Sequence, residues 1–195
     1  MKIDYTIGYT IAALCTLFWI FPAIRQYKTD LFWYFLVLAV EDPLAILFKW
    51  IKLFEIYDSY LVWAFILIIV LFWSSRKKIS MKIMVLIFFL ILGITIGASR
   101  NVQYGTLALF HLAILFFFLK RSIRFIAENG KANLFHLSLL LYETTIILKM
   151  LAQLTDAQTG TAFFHITTIF EMMIAIFFSI FKEDDKRLFI NLKNV

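Results

Sequence analysis

The sequence predicts an all-α membrane protein built as one bundle of seven transmembrane helices, and three observations predict it. The 195-residue chain is 63% hydrophobic and 16% charged, whereas soluble domains are about 45–50% apolar and about 25% charged. Seven apolar runs follow one another, each close to the roughly 20 residues that a helix needs to cross a bilayer. Basic residues are concentrated in alternate links between these runs, as the positive-inside rule requires of a polytopic protein.

The seven runs account for almost the whole chain. They lie at about 5–24, 31–52, 59–74, 82–98, 104–120, 133–154 and 161–181. Short links make consecutive helices antiparallel neighbours. The first run has no small-residue cleavage site after it, so we interpret it as a spanning helix and not as a signal peptide. We therefore assign residues 1–181 to the transmembrane domain and residues 182–195 to a tail.

The distribution of charge predicts the orientation. The links after the first, third and fifth runs, together with the tail, hold 14 Lys and Arg residues, and the remaining segments hold 5. The N-terminus is then outside and the C-terminus in the cytoplasm of a plasma (inner) membrane protein. The same links account for the net charge of +6, so the expected partner is the lipid bilayer, and no nucleic acid is expected.

The second run carries two adjacent acids near its middle. Glu41 and Asp42 lie roughly 15 Å along the helix from its start, close to the midplane of a hydrocarbon core about 30 Å thick. A carboxylate there is costly unless it is protonated, paired or facing water, and so indicates a functional site. Adjacent residues point about 100° apart. We expect Asp42 to face the interior on the Lys49 side, and Glu41 to face a neighbouring helix.

Two prolines are candidate hinges. Pro43 lacks an N–H and its ring clashes with the carbonyl four residues earlier. The freed carbonyl would lie at the depth of the two acids, which predicts a kink and an extra acceptor there. Pro22 ends the first run and is the second candidate hinge.

Two more acids reach the same depth. Glu143 in the sixth run and Glu171 in the seventh lie near mid-membrane. Each acid alone is explained by a neutral carboxyl that is hydrogen-bonded inside the bundle. Three helices that deliver acids to one level instead favour a shared polar cavity.

Histidines and lysines complete the candidate set. His111 and His165 fall in the outer half, where they suit a proton relay with Glu171. A metal site from these two histidines and an acid is an alternative, but no helix carries a His pair at ligand spacing, so we assign no metal and no cofactor. We expect Lys149, like Lys49, to extend to the outer interface.

Two parts of the chain resemble each other. Leu31, Phe32 and Glu41 align with Leu134, Phe135 and Glu143 after one gap. Helices 1–3 and 5–7 then form a parallel 3+1+3 repeat, with the fourth helix giving both halves the same orientation.

The segment PAIRQYKTDL, from Pro22 to Leu31, resembles the Pro-Gln loop of PQ-loop and SWEET-type transporters, although Ala23 stands where the family has its Gln. These transporters have seven helices arranged three-one-three, with the N-terminus outside. The resemblance implies the same arrangement here.

Three functions follow from these observations. The first is a transporter-like protein that binds a small polar or cationic molecule, with proton coupling, among the mid-membrane acids. The second is a seven-helix sensor whose tail, Lys182 to Val195, signals to a cytoplasmic partner or forms a homo-oligomer contact. That tail is expected to be an interfacial helix, a docking segment or a frayed end. The third is an intramembrane metal-dependent enzyme, which is less favoured because no nucleophile–base motif is present.

Overall fold

The computed structural model describes the backbone of residues 2–53, 55–74, 81–95, 98–155 and 160–192, and the side chains of 10–53, 55–72, 86–87, 89–91, 93–95, 98–155 and 162–192. Seven α-helices are present in these ranges, as predicted. They are α1 (Lys2–Arg25), α2 (Phe32–Trp50), α3 (Ile56–Ser74), α4 (Met81–Thr95), α5 (Arg100–Asn129), α6 (Leu134–Leu154) and α7 (Gly160–Ile180). Two short strands, β1 (Lys131–Asn133) and β2 (Phe189–Asn191), accompany them.

Six of the helices form a closed ring. Going round it, α1 packs on α2, α2 on α3, α3 on α5, α5 on α6, α6 on α7, and α7 on α1. Helix α4 packs only against α3 and α5 among the strong helix pairs of the described chain, so it lies outside the ring. We call the end of the bundle where α1 and α7 begin the N-terminal end, and the end where they finish the tail end.

Three helices are long and apolar enough to cross a membrane, which is typical of a membrane protein. They are Arg100–Asn129, Leu134–Leu154 and Ala162–Ile180. Thr10–Arg25 and Ile56–Phe72 are shorter apolar helices, and α2 carries Glu41, Asp42 and Lys49 among its 19 residues. Large apolar side chains such as Leu109, Phe116 and Ile123 of α5 are exposed. Because they are seven residues apart, they form one outward stripe that lipid can cover.

An aromatic core fills the ring towards the tail end. Phe35, Phe118, Phe135 and Phe178 are fully buried. The ring centroid of Phe178 lies 4.7 Å from that of Phe135 and 5.0 Å from that of Phe35. Burial of each such side chain contributes roughly 1.5–3 kcal/mol. The core closes the interior of the bundle on this side.

Helix α5 is longer than predicted. The apolar run was expected to end near Lys120, but the helix continues to Asn129 and ends at Gly130, whose φ of 63° is left-handed. Buried positions continue from Phe118 to Ser122, and Phe125 contacts His136 with ring centroids 5.5 Å apart. Lys120 and Arg124 there lie on the exposed face of an amphipathic helix end and not in a loop.

The tail packs against its own chain. A single 3-10 turn at Lys186–Leu188 leads into β2, which pairs antiparallel with β1 so that Ala132 lies opposite Ile190. Leu188 is buried in the main core, and the Asn133 side chain donates to the Glu183 carbonyl at 3.0 Å. Over residues 182–192 the expectation of an interfacial helix or a frayed end is therefore wrong, because backbone pairing and the Leu188 anchor hold the segment.

Candidate functional site

A cavity of about 270 Å³ lies inside the ring and is lined by side chains from all six ring helices. The lining residues include Tyr60, which is the fifth residue of α3, and Lys149, which is the sixth residue from the end of α6. The cavity therefore lies nearer the N-terminal end, and the aromatic core lies between it and the tail end. Its acidic lining residues are Glu41, Asp42 and Glu171, and its basic ones are His111 and Lys149.

Asp42 is held by hydroxyl groups from the two helices that flank α2. Its Oδ2 accepts a hydrogen bond of 2.9 Å from Thr16 of α1, and its Oδ1 accepts one of 2.7 Å from Tyr60 of α3. Lys49 is exposed and is not a lining residue of the cavity. Asp42 faces the interior, as expected, but its hydrogen bonds come from α1 and α3 and not from Lys49.

Glu41 also lines the cavity, and the expectation that it would turn to a neighbouring helix is wrong. A cavity bordered by both α1 and α3 is broad enough for two adjacent residues of α2 to reach it. Within the described part of the chain, the Glu41 carboxyl receives no hydrogen bond. Of the two adjacent acids, Glu41 is the one that is open to a ligand.

Lys149 forms a buried ion pair with Glu171. Its Nζ lies 2.7 Å from Glu171 Oε2 and 3.1 Å from Thr168 Oγ1. The side chains of Lys149 and Glu171 are only 14% and 8% exposed. The expectation that Lys149 extends to the interface is wrong, because the Glu171 carboxylate is a closer partner for its charge. The second oxygen of this carboxylate, Oε1, is buried and has no hydrogen-bond partner among the described residues.

Glu143 lies behind the cavity and is fully buried. Its Oε1 accepts from the Tyr34 hydroxyl, and its Oε2 lies 2.8 Å from His111 Nδ1. His111 is a lining residue, so it connects Glu143 to the cavity. His165 is half-buried and is not a lining residue. It precedes Glu171 by six residues, which places it on a different face of α7, so the structure does not bring these two predicted relay partners together at the cavity.

The cluster holds more acids than bases. Among the described residues at the cavity, Glu41, Asp42, Glu143 and Glu171 are accompanied by one lysine, Lys149, and one histidine, His111. An unpaired charge removed from water costs several kcal/mol. A cation from outside the chain would offset that cost.

Metal binding has little support from this geometry. Within the described residues, no group of three His, Cys, Asp or Glu side chains is placed to hold a metal ion. Cys15 lines the cavity as a buried free thiol, but it has no second soft ligand of its own kind, since it is the only cysteine in the chain.

Sequence reasoning missed several residues that complete the site. Thr16 and Tyr60 fix Asp42, Tyr34 fixes Glu143, and Lys149 pairs with Glu171. In the structure Lys149 lies seven residues after the buried Tyr142, which places both on the same face of α6. The three hydroxyl residues carried no comparable signal, because a Tyr or Thr in an apolar helix fits packing equally well.

A second polar cluster joins the tail to the ring at the tail end. Glu183 Oε1 lies 2.5 Å from an Arg121 nitrogen and 2.9 Å from His136 Nε2. Burial acts to raise the pKa of Glu183, but the hydrogen bond from His136 and the charge of Arg121 outweigh it and hold that pKa below its usual range. Gln26 Nε2 donates to the carbonyls of Phe178 and Phe181 at 3.0 and 2.7 Å. The tail is thereby fixed to α5 and α6, and the α1–α2 link is fixed to the end of α7.

Both candidate hinges lie within helices. Pro22 is buried in α1 and Pro43 is exposed in α2, and each helix runs through its proline. The Pro22 carbonyl still accepts from the Gln26 amide at 2.8 Å. Their role as hinges stays a prediction.

No family model, curated protein or solved structure matches this chain. The chemistry of the site is therefore argued from its own residues.

Proposed function

We propose that the protein is a multi-pass plasma membrane protein of seven spans that binds a small organic cation in its central cavity and transports it. The observation that carries the proposal is Glu41. Its carboxyl lines a cavity of about 270 Å³ beside Asp42 and receives no hydrogen bond from the described chain. A group this costly to bury is explained when its partner is a ligand.

The lining supports an organic cation in particular. The cavity volume equals about nine water-sized volumes, which suits a small molecule. Trp19, Tyr60 and Tyr142 border the cavity along with the acids, and the faces of such rings attract ammonium groups. A carboxylate beside aromatic rings thus provides both the charge and the contact surface for a protonated amine.

Transport is proposed from the repeat in the sequence. Leu31, Phe32 and Glu41 align with Leu134, Phe135 and Glu143, and a parallel 3+1+3 repeat, which occurs in transporters, would place Glu41 and Glu143 on equivalent helices. A ring of helices packed in chain order is compatible with such a repeat. We propose that the bound cation exchanges for protons at this cluster, which would couple transport to the proton gradient.

A sensor is the second candidate, and the tail end favours it. The aromatic core lies between the cavity and that end, and a hydrogen bond from Asn133 to the Glu183 carbonyl holds the tail segment there. A ligand that loosened these bonds would release the segment from Lys182 to Val195 to a cytoplasmic partner. This function predicts cation binding without uptake.

Equilibrium binding to the purified protein tests the proposal. Isothermal titration with a panel of small amines should show saturable binding, and Glu41→Gln should weaken it at least tenfold. Glu128→Gln is the matched control, since Glu128 is exposed at the tail end of α5. The proposal fails when no amine binds, or when both variants bind as the natural protein does.

Uptake into proteoliposomes then separates the two candidates. A transporter should accumulate the amine that binds, faster when the lumen is acidic, and Glu41→Gln should stop this accumulation. Binding with no uptake above that of empty vesicles would favour the sensor.

A further inference from the structure

We infer that Nε2 of His111 carries the proton that a bound cation displaces, with Glu143 as the buried counter-ion of that ring. The inference rests on the proposed binding of a cation and assigns the proton of the exchange to one atom. It follows from the burial of Glu143, from the surroundings of the two ring nitrogens and from the partners of the other titratable groups.

Glu143 lies behind the cavity wall and not in it. The residue is fully buried and is not a lining residue. Its Oε1 accepts a hydrogen bond from the Tyr34 hydroxyl, and its Oε2 lies 2.8 Å from His111 Nδ1. A buried carboxylate needs a positive partner, and within the described chain His111 is the base that lies beside it. Glu143 therefore acts on the cavity through His111.

The two nitrogens of the His111 ring have different surroundings. Nδ1 is occupied by Glu143. His111 itself lines the cavity, and its Nε2 has no hydrogen-bond partner among the described residues. Unlike His136 Nδ1, it is not a fully buried unpartnered atom. A carboxylate beside Nδ1 fixes a hydrogen there, so Nε2 is the nitrogen that gains and loses a proton. The proton thus enters and leaves the ring on the cavity side.

A cation at Glu41 and a protonated His111 would share one cavity of about 270 Å³. Two positive charges at such short range repel each other, and the low dielectric of a protein interior strengthens the repulsion. Loss of the Nε2 proton to water in the cavity removes it, while Nδ1 continues to donate to Glu143. One positive charge replaces another, so the net charge of the site is the same in both states. Departure of the cation lets Nε2 take up a proton again.

The other titratable groups that face the cavity are less suited to this exchange. Lys149 is paired with Glu171, and Asp42 accepts hydrogen bonds from two hydroxyls. Thiols and phenols are ordinarily neutral at about pH 7. Glu41 is the acceptor for the cation itself. The full set is Cys15 of α1, Glu41 and Asp42 of α2, Tyr60 of α3, Tyr142 and Lys149 of α6, and Glu171 of α7, and the described side chains of α4 add none.

Calorimetry in two buffers of different ionisation enthalpy tests the inference on the detergent-purified full-length protein. The probes are linear alkylamines from methylamine to hexylamine, which stay protonated at neutral pH, and the one that binds most tightly is used. The difference in heat between the buffers gives the number of protons released. We expect release of about one proton per amine, and an affinity that rises about tenfold per pH unit while His111 is protonated.

Variants assign the released proton. His111→Asn keeps an amide N–H near the position of Nδ1 and removes Nε2, so it should still bind the amine but release about one proton fewer. Glu143→Gln should give the same loss, because the positive ring no longer has its counter-ion. His165→Asn is the matched control, since His165 is half-buried and does not line the cavity, and it should release as many protons as the natural protein.

Nitrogen NMR of the natural protein labelled at histidine provides a second measurement, so the test survives if His111→Asn fails to fold. The chain has three histidines, and His136→Asn and His165→Asn identify the other two signals. At about pH 6, where a histidine is ordinarily protonated, the amine should convert His111 from imidazolium to the neutral form with hydrogen on Nδ1. Neutral histidine in water mostly carries its hydrogen on Nε2, so this form is a distinct signature.

The outcomes separate the inference from the proposed function. Amine binding with equal proton release by His111→Asn and the natural protein would overturn the inference and leave cation binding intact. A His111 signal that is the same with and without the bound amine would do likewise. Binding of no amine in the series would overturn the proposed function and this inference together.

Discussion

Replacement of Lys149 by methionine should destabilise the protein strongly. The change keeps the length of the side chain and removes its charge, which leaves the Glu171 carboxylate, 8% exposed, without its partner at 2.7 Å. Removal of one member of a buried ion pair costs about 3–5 kcal/mol. For a chain of this size each kcal/mol lowers the melting temperature by about 2–4 °C, so we expect a fall of about 6–20 °C.

Thermal unfolding in detergent, followed by tryptophan fluorescence, measures this fall. Lys120→Met is the matched control, since Lys120 is exposed on α5, and it should change the melting temperature by no more than about 2 °C. The double variant Lys149→Met with Glu171→Gln should recover most of the loss, because the orphaned charge is gone. Equal melting temperatures for Lys149→Met and Lys120→Met would refute the ion pair. Such a result would instead indicate that the Lys149 side chain extends to the membrane interface.

Three further predictions concern single positions. Asp42→Asn should lower the melting temperature more than Glu41→Gln does, since only Asp42 accepts hydrogen bonds from Thr16 and Tyr60. Thermal unfolding of the two variants in parallel measures this difference, and the opposite order would contradict the assignment of Asp42 as the structural acid. Glu183 has a pKa below its usual value, so its contribution to stability is full above about pH 4.3 and is lost as the pH falls through the lower pKa of the folded protein. The protection factors of the β2 amides, which correct for the intrinsic slowing of exchange in acid, should therefore fall in acid in the natural protein and depend less on pH in Glu183→Gln. An identical pH dependence in both would exclude Glu183 as the anchor. Gly130→Ala should cost about 1–2 kcal/mol, because a φ of 63° strains any residue with a Cβ, and a chemical denaturation midpoint equal to that of the natural protein would contradict this.

The sequence predicted those features of the site that depend only on the position of a residue along its helix. The length of the apolar runs predicted the seven helices, and the depth of the acids placed Glu41, Asp42 and Glu171 at one level. All three line the same cavity. Depth can be counted in residues because the helical rise is constant.

The partners of these acids depend on how helices are rotated and packed, which is not local information. Lys149 was expected at the interface, because nothing within α6 indicates that Glu171 of α7 lies beside it. The same holds for Asp42, whose donors come from α1 and α3.

The tail end shows a further limit of local patterns. A three-residue strand such as β2 has no periodicity to detect, and its pairing with β1 joins distant parts of the chain. The basic residues beyond Lys120 were counted as a loop since charge indicates topology, yet they continue an amphipathic helix to Gly130.

A structure determined with the small amine that binds most tightly, at a concentration that saturates binding, tests the central claim most directly. We expect ligand density inside the ring, with its ammonium nitrogen at about 2.7–2.9 Å from a Glu41 carboxylate oxygen, as in charge-assisted hydrogen bonds. Glu41→Gln under the same conditions should lack this density. Ligand density outside the ring, or a ring interior that is the same with and without the amine, would contradict the claim that Glu41 is the binding group.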